Sequence, residues 1–385
     1  MGILNRSSIR GAALRGAKCL AQRITSVLAS SGWRSRGYLL FLDGASEEKR
    51  RDLRERAAFY LPNVKSLVEM ERCKWGLWLS ASPLLLGSAA RRPPIARLRP
   101  GVFNVDFDLN PMDGWAWIAA ANYVEDESTA PALEPQSIVQ VIERLKAERR
   151  PRCYLFGTGP TLARALERDW HDGYRIVCNT IVRDPELYGH INPDIIVAGD
   201  AIYHFGHTAF ARQFRADLQK RLENSRTIFV YPAHFDVIVR RELAHLEQQL
   251  CPVPVGSRSE VHTSFTDDPT LPNLGNVLNL LLLPICCNLS RSVHLWGFDG
   301  RAPSDVLFWS NSTKHSYAEL LPVLEKAHPA FFSHFVPKDD PEQYVRAVHG
   351  DVLEYCLRRG EEAGWRFKML HDTWTETLAR RRAGD

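Results

Sequence analysis

The sequence has no apolar run of about 18 residues, which is the length that a membrane-spanning helix needs. Its most apolar stretch, "NVLNLLLLPICCNL", is shorter and is interrupted by Pro284 and by asparagines. This stretch therefore predicts a buried helix and not a membrane span.

Cysteine pairs with metal-binding spacing are also absent. None of the eight cysteines forms a C-x-x-C pair, and most of them lie in apolar segments. A free cysteine in such a segment behaves as a small hydrophobic side chain. We therefore predict reduced thiols, a cytoplasmic protein and no metal site.

A strong charge of either sign is missing as well. The net charge is +4 over 385 residues, and hydrophobic and charged residues make up 45% and 24% of the chain. These proportions are typical of a soluble globular protein with one large domain or two ordinary ones. So small a net charge gives no support to nucleic-acid binding, and we expect no nucleic-acid partner.

Acidic residues are absent from the first 42 positions, which contain seven arginines and lysines. Apolar residues recur there at helical spacing, so residues 1–36 predict a basic amphipathic arm. Three interpretations stay open: the arm lies on an anionic membrane surface, serves as an organellar presequence, or packs on its own domain. The first of these would place the protein at the inner face of the cytoplasmic membrane.

From Cys153 onward, short apolar runs alternate with amphipathic stretches. The runs "CYLFGTG", "YRIVCNT", "PDIIVAGD", "RTIFVYP" and "SVHLWGFDGR" predict strands, and the stretches between them predict helices. This alternation favours an α/β fold with a Rossmann-like, mostly parallel sheet and helices on both faces. We assign this domain to residues 151–372, an accessory α/β region to 37–150 and a charged tail to 373–385.

The accessory region also contains candidate strands and helices. "GYLLFLD", "VKSLVEM", "WGLWLSA" and "GVFNVDFDLN" predict strands, and "SEEKRRDLRERAAFYL", "WAWIAAANYV" and "PQSIVQVIERLKAERR" predict helices. The overall fold of this region does not follow from these patterns.

The stretch "CYLFGTGPTLARAL" has two interpretations. Gly157 and Gly159 follow a short strand, and Pro160 suits the first position of a helix, where its missing N–H leaves nothing unpaired. A strand, a glycine turn and a helix start form an anion site when the free N–H groups point at a ligand. Otherwise the stretch is only a tight turn, and it has neither a Walker lysine nor a third glycine to decide between the two.

Polar residues and glycines follow five of the predicted strands. Ligands bind beyond the carboxyl ends of parallel strands, so we expect a ligand site at this edge of the sheet. The residues concerned are Gly157 to Thr161, Asn179, Thr180, Gly199, Asp200, Tyr231 to His234 and Gly297 to Arg301.

Several residues near this edge suit particular chemistry. Asn179 can read a base edge or a ribose hydroxyl, or can cap a turn. Asp200 can hold Mg²⁺, bond a sugar hydroxyl or take a proton, or can cap the next helix. Gly275 and Asn276 stand at a helix start, whose N–H groups would take a phosphate or a carboxylate, or would simply be capped.

Further candidates follow the last predicted strand. Asp299 can share a metal ion with the aspartate named above, and Arg301 can pair with a phosphate, or the two can form a salt bridge. His315 is the candidate general base because its ordinary pKa lies near neutrality. Lys314 and Tyr317 stand beside it, where they could stabilise a leaving phosphate.

Taken in order, the motifs "FGTGPTL", "IVCNT", "DIIVAGD", "GNVLNLLLLPICCNLSRSVHLWGFDGR" and "KHSY" resemble those of one superfamily. That superfamily joins the family 42 bacterial sialyltransferases to the archaeal 6-hydroxymethylpterin diphosphokinase-like proteins and the motility-associated flagellin glycosylation factors. The resemblance extends over residues 150–320.

The resemblance implies a Rossmann-like domain that binds a nucleotide. Matched to the sialyltransferases, the donor would be CMP-sialic acid and His315 the general base. Asp299 is a second catalytic candidate because of its place at the strand end. This match assigns to the donor Gly157, Thr158, Gly159, Pro160, Thr161 and Asn179, with Gly275 and Asn276 near it. From their places at the strand ends we also expect donor contacts from Asp200, Gly297 and Arg301. Matched to the diphosphokinases, the same edge would hold ATP and Mg²⁺, and the two aspartates would matter more.

From these motifs we expect a glycosyltransferase that moves a nucleotide-activated, CMP-linked sugar onto a glycan or cell-surface acceptor. One alternative is Mg²⁺-dependent phosphoryl transfer of the diphosphokinase kind. The other is a non-catalytic interaction protein that keeps a nucleotide-binding fold.

Overall fold

The computed structural model describes residues 37–64, 66–70, 82–88, 101–125, 136–260, 264–300, 315–335 and 350–383. The chain divides into two compact units, Met1–Ser128 and Thr129–Asp385. The predicted arm 1–36, the predicted strand "WGLWLSA", Arg301 and Lys314 lie outside the described residues.

The first unit contains a four-stranded parallel sheet with the strand order β2-β1-β3-β4. Its strands are β1 (Gly37–Phe41), β2 (Ser66–Met70), β3 (Leu84–Leu86) and β4 (Val102–Asn104), and its helices are α1 (Glu47–Tyr60) and α2 (Asp113–Glu125). The sequence patterns predict all of these except β3. Its three leucines are all buried, so they show none of the alternation that marks a half-buried strand.

Helix α1 begins at a side-chain cap. The Ser46 hydroxyl accepts a hydrogen bond of 3.2 Å from a backbone N–H of the first turn. The buried Arg56 of α1 pairs with Asp113 of α2 at 3.0 Å. The rings of Tyr60 and Trp117 stack with 5.4 Å between their centroids, and these contacts join the two helices.

The second unit is built on a seven-stranded sheet in which every described strand pairing is parallel. Its strands are β5 (Arg152–Phe156), β6 (Gly173–Cys178), β7 (Ile195–Val197), β8 (Ile228–Pro232), β9 (Leu250–Val253), β10 (Ser292–Trp296) and β11 (Arg366–Met369). The strand order is β11-β10-β5-β6-β7-β8-β9. The chain therefore runs outward from β5 to β9 and then returns to place β10 on the other side of β5.

Helices flank this sheet and connect its strands. The α-helices are α3 (Ile138–Lys146), α4 (Pro185–Ile191), α5 (Ala209–Glu223), α6 (Asp236–Leu243), α7 (Leu283–Leu289), α8 (Leu321–Ala327), α9 (Pro329–Phe335), α10 (Asp351–Glu362) and α11 (Glu376–Ala379). Short 3₁₀ helices lie at Pro160–Glu167, Asn179–Arg183, Ala233–Phe235, Ala244–Gln249 and Ala318–Leu320. The α/β fold with a Rossmann-like parallel sheet is thus confirmed.

Helix α3 belongs to the core of the second unit. A capping box at Ser137 starts it, and Ile138, Val141 and Leu145 are buried with the apolar side chains of the sheet. Leu378, in the predicted tail, is buried in the same core. The division predicted at residue 150 assigns α3 to the accessory region, whereas packing places it with the sheet.

The helix predicted from "GNVLNLLLLPICCNL" is present, but its first part is a π turn at Leu278–Leu282 that runs into α7. Within it, the Leu283 N–H donates to the carbonyl of Leu278, five residues back. Pro284 explains the wider turn, because it has no N–H and its ring needs the space of a carbonyl four residues earlier. Every residue of α7 is buried, as the sequence predicts.

Strands β9 and β11 are not among the predicted strands. They lie at the two edges of the sheet, and β9 contains Pro252, which only an edge strand tolerates well. In β11 the sequence "RFKM" alternates exposed and buried side chains, and this signal was available in the sequence.

Candidate functional site

The strand order reverses between β5 and β10, and their carboxyl ends are in direct backbone contact there. The Gly157 N–H donates to the Trp296 carbonyl, and the Gly159 N–H donates to the Gly297 carbonyl, both at 2.8 Å. A Cβ on Gly157 would lie only 2.6 Å from the carbonyl oxygen of Gly297. Glycine is therefore required here because two strand ends approach more closely than a side chain permits.

The carboxylate of Asp299 occupies the start of the 3₁₀ helix Pro160–Glu167. The Thr161 N–H lies 3.2 Å from both carboxylate oxygens, and the Thr161 hydroxyl also donates to this carboxylate. A Cβ on Gly159 would overlap the same carboxylate. The negative charge expected at a helix start is thus supplied by the protein itself.

This arrangement leaves little of the glycine turn free for an anion. The N–H groups of Gly157, Gly159 and Thr161 are bonded within the protein, and Pro160 has no N–H. Thr158 is partly exposed and Pro160 is exposed. A phosphate bound at this helix start would compete with the Asp299 carboxylate.

His371 joins the end of β11 to the place where the ends of β5 and β10 are in contact, which we call the crossing point of β5 and β10. Its Nε2 accepts a hydrogen bond of 2.8 Å from the Gly297 N–H, and its Nδ1 lies 2.7 Å from the carbonyl of Asp372. Because Nε2 accepts, Nδ1 carries the proton and the ring is neutral. Burial lowers the pKa of His371, which favours the same neutral form. His371 is not among the predicted site residues because the sequence patterns did not predict β11.

The segment after His371 supports the backbone around Asp299. The Trp374 N–H donates to the Asp299 carbonyl at 2.7 Å, and the Thr373 hydroxyl donates to the Phe298 carbonyl at 2.7 Å. The indole of Trp374 itself is 64% exposed. The segments 297–299 and 371–374, which are distant in sequence, therefore lie side by side at the crossing point.

Asn179 follows β6, the strand next to β5. It has a left-handed φ of 53°, a conformation that asparagine tolerates better than most residues. Its side-chain Oδ1 is buried and has no hydrogen-bond partner. An unpaired buried acceptor at a strand end is a feature that a bound ligand could explain.

His315 lies against the same strand end. The hydroxyl of Thr180 donates to the backbone carbonyl of His315, and the imidazole is only 2% exposed. The imidazole Nδ1 lies 3.9 Å from Oδ2 of Asp184, whose Oδ1 caps helix α4. Asp184 is likewise not among the predicted site residues, although "DP" before a helix is a capping signal.

The residues after His315 are held firmly on this surface. The guanidinium of Arg183 donates to the Ser316 carbonyl and pairs with Glu319 at 3.0 Å. The Tyr317 hydroxyl donates to Asp217 at 2.9 Å. Burial raises the pKa of Tyr317, so the hydroxyl keeps the proton that it donates.

Asp200 follows β7 and caps the turn after it. Its Oδ1 accepts hydrogen bonds from the N–H groups of Ile202 and Tyr203 at 2.9 and 3.0 Å. Burial raises the pKa of its carboxyl to about 6. His234 follows β8, and burial lowers its pKa to about 4, so its ring is neutral at pH 7.

The arrangement gives no support to a metal ion shared by Asp200 and Asp299. Their strands, β7 and β10, are separated by two others, which corresponds to about 14 Å at the usual strand spacing. Among the residues that the structure describes, no group of three or more His, Cys, Asp or Glu is placed to hold a metal.

Asn276 caps the helix that begins with the π turn. It has a φ of 58°, and its Oδ1 accepts a hydrogen bond of 2.9 Å from the Asn279 N–H. Gly275 is exposed, with no atom near the position that a Cβ would take. One N–H of this helix start is thus satisfied by the chain.

The structure therefore brings part of the predicted set together in two neighbouring groups, whereas Asp200 and Asn276 cap other turns. The first lies at the crossing point of β5 and β10, and the second at the end of β6 next to it. The first group comprises Gly157, Thr158, Gly159, Pro160, Thr161, Gly297 and Asp299, and the second comprises Asn179, Thr180 and His315.

Comparison with protein-family models, curated proteins and solved structures finds no match for this chain. The resemblance of its motifs to the sialyltransferase superfamily therefore stays a prediction. None of the helices in the described part of the chain is both long and apolar enough to cross a membrane.

None of the six cysteines in the described ranges forms a disulfide, and all six are buried, as the sequence predicts. Burial raises the pKa of Cys178 and of Cys251 to about 12. These thiols are therefore inert at neutral pH.

Proposed function

We propose that this protein is a glycosyltransferase that moves a sugar from a nucleotide, with a CMP-linked donor preferred, to a hydroxyl group of a glycan acceptor. The observation that carries the proposal is the position of His315. His315 lies in the chain between β10 and β11, and Thr180 ties it to the end of β6, where Asn179 presents an unpaired oxygen. A base and a polar binding residue thus meet at the edge where parallel sheets bind ligands.

In the proposed reaction, a local opening brings the acceptor to the buried imidazole of His315, which takes the proton from the acceptor hydroxyl. The acceptor oxygen forms a bond to the anomeric carbon, and the bond from that carbon to the phosphate oxygen breaks with its electron pair on the phosphate. The Asp184 carboxylate, 3.9 Å from the imidazole Nδ1, stabilises the imidazolium that forms.

The position of Asp299 sets a condition on donor binding. Its carboxylate bonds to Thr161, where a donor phosphate would otherwise reach the helix start. Donor binding therefore requires either that the carboxylate moves or that the phosphate lies beside the turn. In both cases, Asp299→Asn should tighten nucleotide binding, because it removes a negative charge next to the phosphate.

Nucleotide binding by the purified chain tests the proposal. The melting temperature is measured with CMP, CDP, UDP, GDP and ATP, each with and without Mg²⁺. Stabilisation by CMP without metal supports the proposal. Stabilisation only by ATP with Mg²⁺ would instead favour phosphoryl transfer, and no shift with any nucleotide would favour the non-catalytic alternative.

The role of His315 is tested in a transfer assay with the CMP-linked donor. We expect His315→Gln to lower kcat by about 10²–10⁴-fold while the CMP-induced rise in melting temperature is retained. Asp184→Asn keeps the capping oxygen but removes the charge, so it should lower kcat by a smaller factor. Unchanged turnover in His315→Gln would remove the histidine from the mechanism.

A further inference from the structure

Asn279 is a buried amide whose hydrogen-bonding capacity is unused. The residue is completely buried, and neither its Nδ2 nor its Oδ1 has a hydrogen-bond partner. Buried side-chain polar groups in folded proteins are nearly always bonded, so an amide that leaves both groups unpaired needs a specific explanation.

Asn288, on the same helix, is a buried asparagine whose amide nitrogen and oxygen are both hydrogen-bonded within the protein. Its Nδ2 donates to the Pro284 carbonyl at 2.9 Å, and its Oδ1 accepts from the Phe265 N–H at 2.8 Å. It too is buried, at 6% exposure. Burial in this helix is therefore compatible with full hydrogen bonding, and Asn279 departs from that pattern.

The position of Asn279 connects it with the carboxyl edge of the sheet. It lies in the π turn, one helical turn after Asn276. The next two side chains, Leu280 and Leu281, come within 3.4 and 3.1 Å of the Cβ position of Gly199. Gly199 lies two residues after the end of β7 and precedes Asp200, so this helical turn packs on the edge at which the proposed ligand binds.

A second unpaired amide oxygen lies on the neighbouring strand. Asn179 follows β6, which pairs with β7, and its buried Oδ1 also lacks a donor. Two free acceptor oxygens call for a ligand that brings N–H or O–H donors. The amino group of cytosine can donate one N–H to each of these two oxygens, and the ring nitrogen beside it can accept from Nδ2 of Asn279. Uracil has a single N–H on the same edge, so it cannot serve both oxygens.

We propose that Asn279 is a specificity residue that hydrogen-bonds the amino-bearing edge of the donor nucleobase, so that cytosine is preferred over uracil. This inference rests on the proposed function, since it assigns the base of the same nucleotide. Because the amide is closed off from solvent, the ligand reaches it by a local opening of the π turn. Wide turns of this kind occur frequently at functional sites.

The experiment compares CMP with UMP on the wild-type chain, Asn279→Leu and Asn279→Ala, with affinity measured by calorimetry and stability by thermal unfolding. We expect the wild-type chain to bind CMP more tightly than UMP. Asn279→Leu should weaken CMP binding by about tenfold or more and remove the preference. Its melting temperature without ligand should equal or exceed that of the wild-type chain, because an unpaired buried amide is removed.

Asn288→Leu is the matched control, since it changes the same residue type on the same helix. It breaks two hydrogen bonds, so it should lower the melting temperature and keep the preference for CMP. Asn279→Ala adds no volume and should lose the preference even if the leucine variant fails to fold.

Three outcomes would overturn the inference, and they differ from one another. If the wild-type chain binds no nucleotide, the proposed function fails and the inference fails with it. If it binds CMP and UMP equally, the base assignment is wrong while nucleotide binding stands. If both Asn279 variants keep the CMP preference, the amide holds only a buried water.

Discussion

Gly159 shows at the residue scale how little space the crossing point of β5 and β10 contains. Its N–H bonds to the Gly297 carbonyl, and a Cβ on it would overlap the Asp299 carboxylate and lie 2.8 Å from the Gly297 carbonyl oxygen. A glycine turn of this sequence is usually considered for phosphate binding. In this protein its glycines are already explained by contact between two strand ends.

We therefore expect Gly159→Ala to lower the free energy of unfolding by about 1–3 kcal/mol, because the added methyl group has no space. Urea denaturation measures the change. Gly189→Ala in α4 is the control: apart from its chain neighbours and the helix's own backbone, no atom lies within 4 Å of its Cβ position, and alanine is the better helix former. A Gly159→Ala variant as stable as the wild-type chain would show that the turn is looser and has room for a ligand.

At the scale of elements, the segment His315–Tyr317 is attached to the sheet through polar contacts. Thr180 and Arg183, both in the 3₁₀ helix after β6, donate to its backbone carbonyls. The Tyr317 hydroxyl adds a buried bond to Asp217 of α5. These bonds hold the histidine of the proposed mechanism at the strand end.

Tyr317→Phe should loosen this segment without removing its ring. The phenylalanine keeps the packing against Phe210, whose centroid is 5.3 Å away, but leaves Asp217 with one donor fewer. We expect a loss of about 1–3 kcal/mol, since the bond is to a charged group, together with faster amide exchange around residues 315–320. The exposed Tyr355 is the control: its hydroxyl makes only a long, exposed hydrogen bond of 3.4 Å to Glu260, so Tyr355→Phe should change neither quantity.

At the scale of the whole molecule, the chain contains two compact units, each with its own parallel sheet. The second unit has a continuous apolar core that includes side chains of α3, of all seven strands and of α11. A unit with a complete core of its own can fold as a domain.

We expect a shortened chain of residues 129–385 to unfold in one cooperative transition. A chain of residues 151–385 should be much less stable, because it lacks α3 and exposes the core side chains that Ile138, Val141 and Leu145 cover. Circular dichroism during urea denaturation distinguishes the two. Equal stability of the two chains would place the boundary of the folded domain at residue 150, as the sequence alone predicts.

The fold class follows from the sequence because it depends on local patterns. Buried runs such as "CYLFGTG" and "YRIVCNT" alternate with amphipathic helices, and that alternation suits only a parallel sheet covered by helices. The polar residues after the strands can also be read from the sequence, because loops at that edge stay in contact with water and ligands. These features need no knowledge of which strands are neighbours.

Only the tertiary structure decided which of those residues meet. Gly157 and Gly297 are 140 positions apart, and their contact depends on β10 returning to the side of β5. The occupation of the helix start by Asp299 and the unpaired burial of Asn279 depend on the same long-range packing. A sequence pattern states which side chains are buried or polar. The partner of each is chosen when distant elements pack, because hydrogen bonding and close contact are properties of pairs.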